Sequence, residues 1–207
     1  MANDDPQQEA PGGSTQGRPR DPHVHHAILA ATVERLRDGG YGALTIEGVA
    51  RTAGVGKSTI YRRWENKGLL VYEALFHRPD SEPFPDTGTL AGDLRLAVAG
   101  LVAEYSSPDA IAALPGLLAD FGADERLRSL IRDRFLNPVR AQVVTIFERA
   151  VERGEMRTDV QVDLVVDALA GGVFFRVALA GEDLEEGTAD ALVEFALRGV
   201  MRGVTGS

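Results

Sequence analysis

Residues 44–70, LTIEGVARTAGVGKSTIYRRWENKGLL, restrict this chain more than any other stretch. They predict two short helices joined by a glycine turn. Thr45 is placed to cap the first, and Ile46, Val49, Ala50 and Ala53 recur at i, i+3, i+4 and i+7, one apolar stripe set against a core. Gly54 ends that helix in the manner of a left-handed cap residue. The second helix starts near Gly56 and Lys57, buries Ile60 and Trp64 one turn apart, and carries Ser58, Thr59, Tyr61, Arg62 and Arg63 on its other side. A short helix held by its buried side, with hydroxyls and guanidinium groups on its free side, suits the major groove of DNA. The same periodicity also fits an ordinary helical hairpin with a solvated basic face.

The order of residues separates these two readings. AGVGKSTIYRRWENKGLL resembles the recognition helix and following helix of the TetR/AcrR family of bacterial transcription regulators, whose usual form is close to A-G-V-S-x-x-T-x-Y-x-x-F-x-x-K-x-x-L. Ala53, Gly54, Val55, Thr59, Tyr61, Lys67 and Leu70 stand at the matching places, and Trp64 replaces the usual Phe or Tyr. The resemblance implies a homodimer that binds double-stranded DNA at an operator of two half-sites. It implies that Thr45, Tyr61 and Lys67 hold phosphates, and that Lys57, Ser58, Thr59, Arg62 and Arg63 complete the contact set, with Lys57, Ser58, Arg62 and Arg63 best placed for base edges. Two residues depart from the pattern. Gly56 stands where the family most often has a Ser cap, and Gly48 lies inside the first helix, where it costs about 1 kcal/mol relative to Ala unless something packs closely on it. Gly56, Lys57 and Ser58 also imitate the end of a phosphate-binding loop. Arg51 stands where that motif needs its first glycine, and no strand-like run precedes it.

Charge supports a DNA reader confined to one end. The formal net charge is -9, yet residues 18–78 hold ten Lys or Arg against six Asp or Glu, while residues 79–207 hold twelve against twenty-two. An acidic remainder discourages non-specific wrapping of DNA. There is no cysteine, so thiolate metal sites, disulfides and thiol nucleophiles are excluded. No secretory signal appears, and the longest apolar run, residues 168–175, is far below the ~20 residues of a membrane span. A cytoplasmic protein with no membrane partner is expected.

Residues 1–20 are rich in Pro, Gly, Gln and Ser and are expected to be a disordered tail. Arg18 and Arg20 are either a minor-groove arm or solvated tail residues. Asp21 and Pro22 open a first helix with Leu29, Val33 and Leu36 on its inner face, ended by Gly39 and Gly40; Tyr41 and Leu44 bring an apolar anchor back under the helical pair. His23, His25 and His26 crowd that helix, but no cysteine or placed carboxylate completes a metal set, so surface histidines are the expectation. Asn66 is placed to cap a connecting helix to His77. Residues 78–89, with three prolines, mark a boundary. The expected organisation is a tail at 1–20, a helix-turn-helix DNA-binding domain with connecting helix at 21–77, and a helical regulatory and dimerisation domain at 78–207, all-α throughout.

Helices are predicted near 90–106, 108–121, 125–153, 160–181 and 188–204, with Pro138 kinking or dividing the third. The last two carry apolar residues round more than one face. In the TetR-like pattern such helices pair across a twofold axis, which points to Gly171, Gly172, Phe175, Leu192, Phe195 and Val200 as dimer interface; burial within a monomer is the alternative. The family resemblance also implies a pocket for an unidentified small-molecule effector. Leu101, Tyr105, Leu117, Leu118, Phe121, Phe135, Phe147 and Phe174 are its candidate lining, with Tyr105, Arg176 and Arg140 as the polar groups, and a mostly apolar ligand, neutral or weakly acidic, is expected. All four histidines lie at positions 23, 25, 26 and 77, so the Glu-x-x-His pairs of di-iron bundles cannot form in the acidic region, and no Gly-x-Ser-x-Gly or His-Glu-x-x-His motif occurs. No catalytic residue, metal or cofactor is expected.

Overall fold

The computed structural model describes residues 22–76, 84–182, 184 and 187–201. The predicted tail, the arm at Arg18 and Arg20, and His77 lie outside them. Ten α-helices follow one another among the described residues, and the lone β-contact there is an isolated bridge between Met156 and Met201.

Helix α1 (Pro22–Ala43) opens on proline and is broken near its end by Gly40, whose φ of 70° only glycine adopts cheaply. Its most buried residues are Ile28, Ala31, Thr32 and Leu36, not the predicted Leu29 and Val33, which sit half-buried one residue off the seam. Helix α2 (Ile46–Thr52) is capped by the Thr45 hydroxyl, which accepts from the Gly48 amide at 3.1 Å. It ends in a paired C-terminal cap: Val55 N–H bonds to Ala50 O at 2.9 Å and Gly54 N–H to Arg51 O at 3.3 Å, with Gly54 at φ 67°. Helix α3 (Lys57–Tyr61) continues as a tight turn to Trp64. Helix α4 (Lys67–Phe76) starts under the Asn66 side chain, which accepts from Leu69 N at 2.9 Å.

The remaining helices form the larger part. They are α5 (Leu90–Tyr105), α6 (Pro108–Ala123), α7 (Glu125–Ile131), α8 (Asn137–Glu152), α9 (Val162–Phe174) and α10 (Thr188–Val200). Thr89, Ser107 and Asp124 cap α5, α6 and α7 by accepting from backbone amides. Between α7 and α8 the helix widens into a π-helical turn, Arg132–Leu136, where Asn137 N–H reaches back five residues to Arg132 O. Pro138 follows at once, so its missing amide is absorbed by a wider turn rather than by a sharp break. A second π-helical segment, Phe175–Ala180, extends α9 to a left-handed stop at Gly181.

Two apolar clusters hold these helices. One joins α1 to α4 with α6, α7, Phe135 and Val177; the other joins α5, α8, α9 and α10. Tyr41 belongs to the junction of the first cluster. It was expected beneath the helical pair, and instead its ring lies against Gly116 of α6, where a Cβ would come 2.6 Å from Tyr41 Cγ and nearer still to Cδ1. Its hydroxyl donates to Asp120, and Arg37 of α1 grips Asp109 of α6 at 2.6 and 2.8 Å. Gly68 of α4 makes a similar close passage, here against Leu127 of α7.

Candidate DNA reader and small-molecule cavity

Helix α3 is fixed from behind. Ile60 and Trp64 are fully buried, and Trp64 Nε1 donates to the buried Glu73 carboxylate of α4 at 2.7 Å. Glu73 also meets His25 Nε2 at 3.1 Å and Arg134 at 3.6 Å, while Arg134 reaches the Arg63 carbonyl at 3.4 Å. A buried carboxylate with partners from α1, the end of α3 and the π-helical turn sets the angle at which the reader stands.

Its free side carries the predicted contact residues. Thr45, Lys57, Ser58, Tyr61 and Arg62 are exposed, and Thr59 and Arg63 half-buried. Lys67 is the member turned inward: its Nζ donates to the Tyr41 carbonyl at 3.1 Å and lies 4.1 Å from the Tyr41 ring centre. Lys57 is bonded too, to Glu47 of α2, Nζ to Oε1 at 2.8 Å. That hydrogen bond holds Glu47 below the usual carboxylate range and Lys57 above its own. Sequence reasoning passed over Glu47, although opposite charges on the facing ends of two adjoining helices were there to find. Gly48 is explained by proximity, since a Cβ there would lie 3.2 Å from the Thr45 hydroxyl and 3.5 Å from Arg35 Nε.

The second feature is a cavity of about 390 Å³. Its walls are Tyr72 and Phe76 of α4, Leu94, Val98, Leu101 and Tyr105 of α5, Phe135 and Leu136 of the π-helical turn, Val139 and Val143 of α8, and Val166 and Leu169 of α9. Of the predicted lining, Leu101, Tyr105 and Phe135 face it. Leu117 and Phe147 do not: both are fully buried core residues, because large side chains pack as readily into core as around a void. Leu118 sits half-buried on α6 away from the cavity. Phe121 and Phe174 stand one layer behind, their ring centres 6.3 Å from Tyr72 and 6.0 Å from Tyr105.

The polar groups at the cavity are Glu104, Arg132, Asn137, Arg140 and Asp167, with the Tyr72 and Tyr105 hydroxyls. Arg140 is there as expected, bonded to Asp167. Arg176 is not; it lies exposed, paired with Glu182 at 2.8 Å. Burial, and after it the Glu104 carboxylate, push the Tyr105 hydroxyl up to about 12, and burial likewise raises Tyr72. Both therefore stay neutral hydrogen-bonding groups at ordinary pH. No cluster of metal-ligating side chains forms among the described residues, nor is any helix there long and apolar enough to cross a membrane.

The last two helices present an exposed seam. Leu164, Ala168, Gly171, Phe175 and Leu179 recur every three or four residues on the outer side of α9 and its extension, and Phe195 is exposed on α10. Phe175 and Phe195 are 59% and 74% exposed, too much apolar ring to leave in water without cause. The other predicted interface residues face inward. Val200 is core, and a Cβ on Gly172 would lie 3.0 Å from Leu192 Cδ2, so this glycine lets α9 close on α10 within one subunit.

Comparison with known proteins agrees with this architecture. Residues 28–74 match the family described as bacterial regulatory proteins, tetR family, and residues 84–196 match the tetracyclin repressor-like C-terminal domain. An uncharacterized HTH-type transcriptional regulator of Bacillus subtilis, YdeS, is 31% identical over 188 residues, 90% of this chain and 94% of that protein. A DNA-binding transcriptional repressor TetR of Mycobacteroides abscessus is 32% identical over 179 residues, 85% of this chain and 93% of its own. Among solved structures, a crystal structure described as a TetR family transcription regulator is 32% identical, with a TM-score of 0.70, covering 87% of this chain and all of the other.

Proposed function

The chain belongs to the TetR family of bacterial regulators and is a DNA-binding transcriptional regulator, and we propose that it is a cytoplasmic homodimeric repressor, released from its operator by a small apolar ligand. The observation that carries this reading is the double use of α4. Its Tyr72 and Phe76 wall the cavity, while its Glu73 holds Trp64 behind the reader. An occupant that pushes on the first two moves the third.

In this reading residues 21–77 bind DNA and residues 78–207 sense and dimerise, with 1–20 as a tail. Thr45 and Tyr61 fix the reader on phosphates, and Lys67 joins them by turning out from the Tyr41 carbonyl when DNA binds; Lys57, Ser58, Thr59, Arg62 and Arg63 meet the groove, with Arg62 reading a base edge. Two copies joined through Leu164, Gly171, Phe175, Leu179 and Phe195 set two readers about 34 Å apart, one helical turn, for an operator of two half-sites. The cavity takes a mostly apolar, uncharged molecule, because its charged lining residues balance in sign and Arg140 is already neutralised by Asp167. The ligand releases DNA only to the extent that it binds the released state more tightly than the bound one. No catalytic residue, metal or cofactor enters the scheme.

The test begins with selection of an operator from random duplexes, followed by a thermal-shift search of apolar compounds and an operator-release assay on each that binds. Release by a compound whose effect is lost when Val143→Trp fills the cavity is the expected result. Compounds that bind in the cavity and leave operator affinity unchanged would replace this reading with an effector-free regulator.

A further inference from the structure

We propose that Glu47 is a specificity-determining residue of the reader: bonded to Lys57, it turns a phosphate-seeking cation into one half of a donor and acceptor pair that reads a G·C base pair in each half-site. The inference rests on the reading of α3 as the element that enters the groove. Lys57 is the first residue of α3, the end of a recognition helix from which base edges are contacted. Glu47 lies in the first turn of α2, on the adjoining helix end. Their side chains meet at 2.8 Å and are 54% and 57% exposed, so the bonded pair stands on the face that DNA approaches.

Arg51, Arg62 and Lys67 differ from it. Arg51 and Arg62 are exposed and make no ion pair among the described residues, and Lys67 spends a donor on the Tyr41 carbonyl. These cations are free to seek phosphate, or are already turned toward the protein. Lys57 is held by a carboxylate from the neighbouring helix. An exposed pair of this kind adds little to folding. A carboxylate at a DNA face also repels phosphate, so it lowers affinity for every sequence unless it recovers something at a particular one.

The groups left over show what it can recover. An ammonium has three donors; with one on Glu47, two remain to meet guanine O6 and N7. The carboxylate keeps Oε2, and cytosine N4 is the base-edge donor that carboxylates accept from in the major groove. Because the two side chains are already bonded, both offers come at a fixed spacing, and adenine or thymine at that position leaves one of them unmatched. The bond also keeps both groups in their charged forms.

The experiment uses the full chain, the operator duplex selected by the wild-type protein, single-base variants of it, and a scrambled duplex of the same length. Glu47→Gln is expected to bind the scrambled duplex several-fold more tightly and to steepen the salt dependence by about one phosphate contact per reader. It should also lose about tenfold in discrimination at one G·C position of each half-site, with an unchanged thermal midpoint. In a Lys57→Gln background, Glu47→Gln should leave base discrimination unaltered, since Glu47 reads only together with its partner. Unchanged discrimination in Glu47→Gln overturns the proposal, and so does an equal loss with or without Lys57. If the wild-type protein selects no sequence at all, it is the DNA-reading function that fails. A selected operator read equally well by Glu47→Gln leaves that function standing and removes the role of Glu47.

Discussion

Around Tyr41 and Trp64 the core is closed by aromatic residues that each find a polar partner, in Asp120 and Glu73, whereas around Leu94, Val98 and Val143 it is aliphatic and borders about 390 Å³ of open space. The first region binds the reader to α6 and α7 through oriented bonds and close glycine passages at Gly68 and Gly116. The second is packed chiefly by aliphatic contacts that have no direction, with the Arg140–Asp167 pair at its edge. Oriented bonds permit few arrangements and pass on displacement; non-directional packing around a void can take up a guest without breaking any bond. Rigidity and capacity thus meet on α4, whose Tyr72 and Phe76 wall the void while its Glu73 holds Trp64.

The largest expected break of this contrast is Trp64→Ala. It removes a fully buried ring and one partner of a buried carboxylate, and should cost about 3–5 kcal/mol in chemical denaturation. A change under 1 kcal/mol would mean that the reader side is not closed as described. Next comes Gly116→Val, about 3 kcal/mol, because its side chain has to displace the Tyr41 ring. Ala97→Leu adds as much carbon but points into the cavity, so its effect should stay within about 1 kcal/mol of zero. Equal costs for these two would erase the distinction between the regions.

The third prediction concerns alkaline pH. The folded-state value of Tyr105 is raised to about 12 against about 10 for a free tyrosine. A raised folded value means that its stabilising contribution is whole below pH 10 and disappears as pH climbs through 12. Stability should fall over that window, Tyr105 contributing about 2 kcal/mol beside Tyr72 and Tyr41, whose values are raised as well, and Tyr105→Phe should make the fall shallower. An identical alkaline profile in the variant would place the titrating group elsewhere. The smallest effect is Gly56→Ser, at a cap with φ of -74° and open space at its Cβ, the nearest atom being the Ser58 hydroxyl at 3.7 Å. It should stabilise by a few tenths of a kcal/mol without altering operator preference.

What the sequence made legible was mostly local. Thr45 and Asn66 could be read as caps, Gly54 as a stop and Pro138 as an interruption, since each acts on its own turn of backbone. The form of the interruption, a widened turn before the proline, could not, because it depends on how α7 and α8 sit on their neighbours. The cavity was harder still. Phe147 and Leu117 have the composition of pocket residues and are core, while Val139, Val143 and Ala97 line the void, because an opening is defined by what the surrounding helices fail to fill. Gly172 illustrates the same limit: its smallness was plain, but whether it served a dyad or α10 depended on Leu192, twenty positions away. Glu47 and Lys57, ten apart across a glycine turn, come between these extremes.

The placement of α4 constrains anyone who would re-tune this protein as a sensor. Its cavity has two kinds of wall. Substitutions at Leu101, Val143, Val166 or Leu169 reshape the void from helices that do not touch the reader's Trp64–Glu73 bond, so they change what is accepted and leave the grip on DNA alone. Substitutions at Tyr72 or Phe76 act on a helix shared with the reader, and every gain in recognition there arrives with a change in the resting affinity for the operator. On the proposed function, selection for a new inducer should therefore collect its tolerated changes on α5, α8 and α9, and leave α4 as it is.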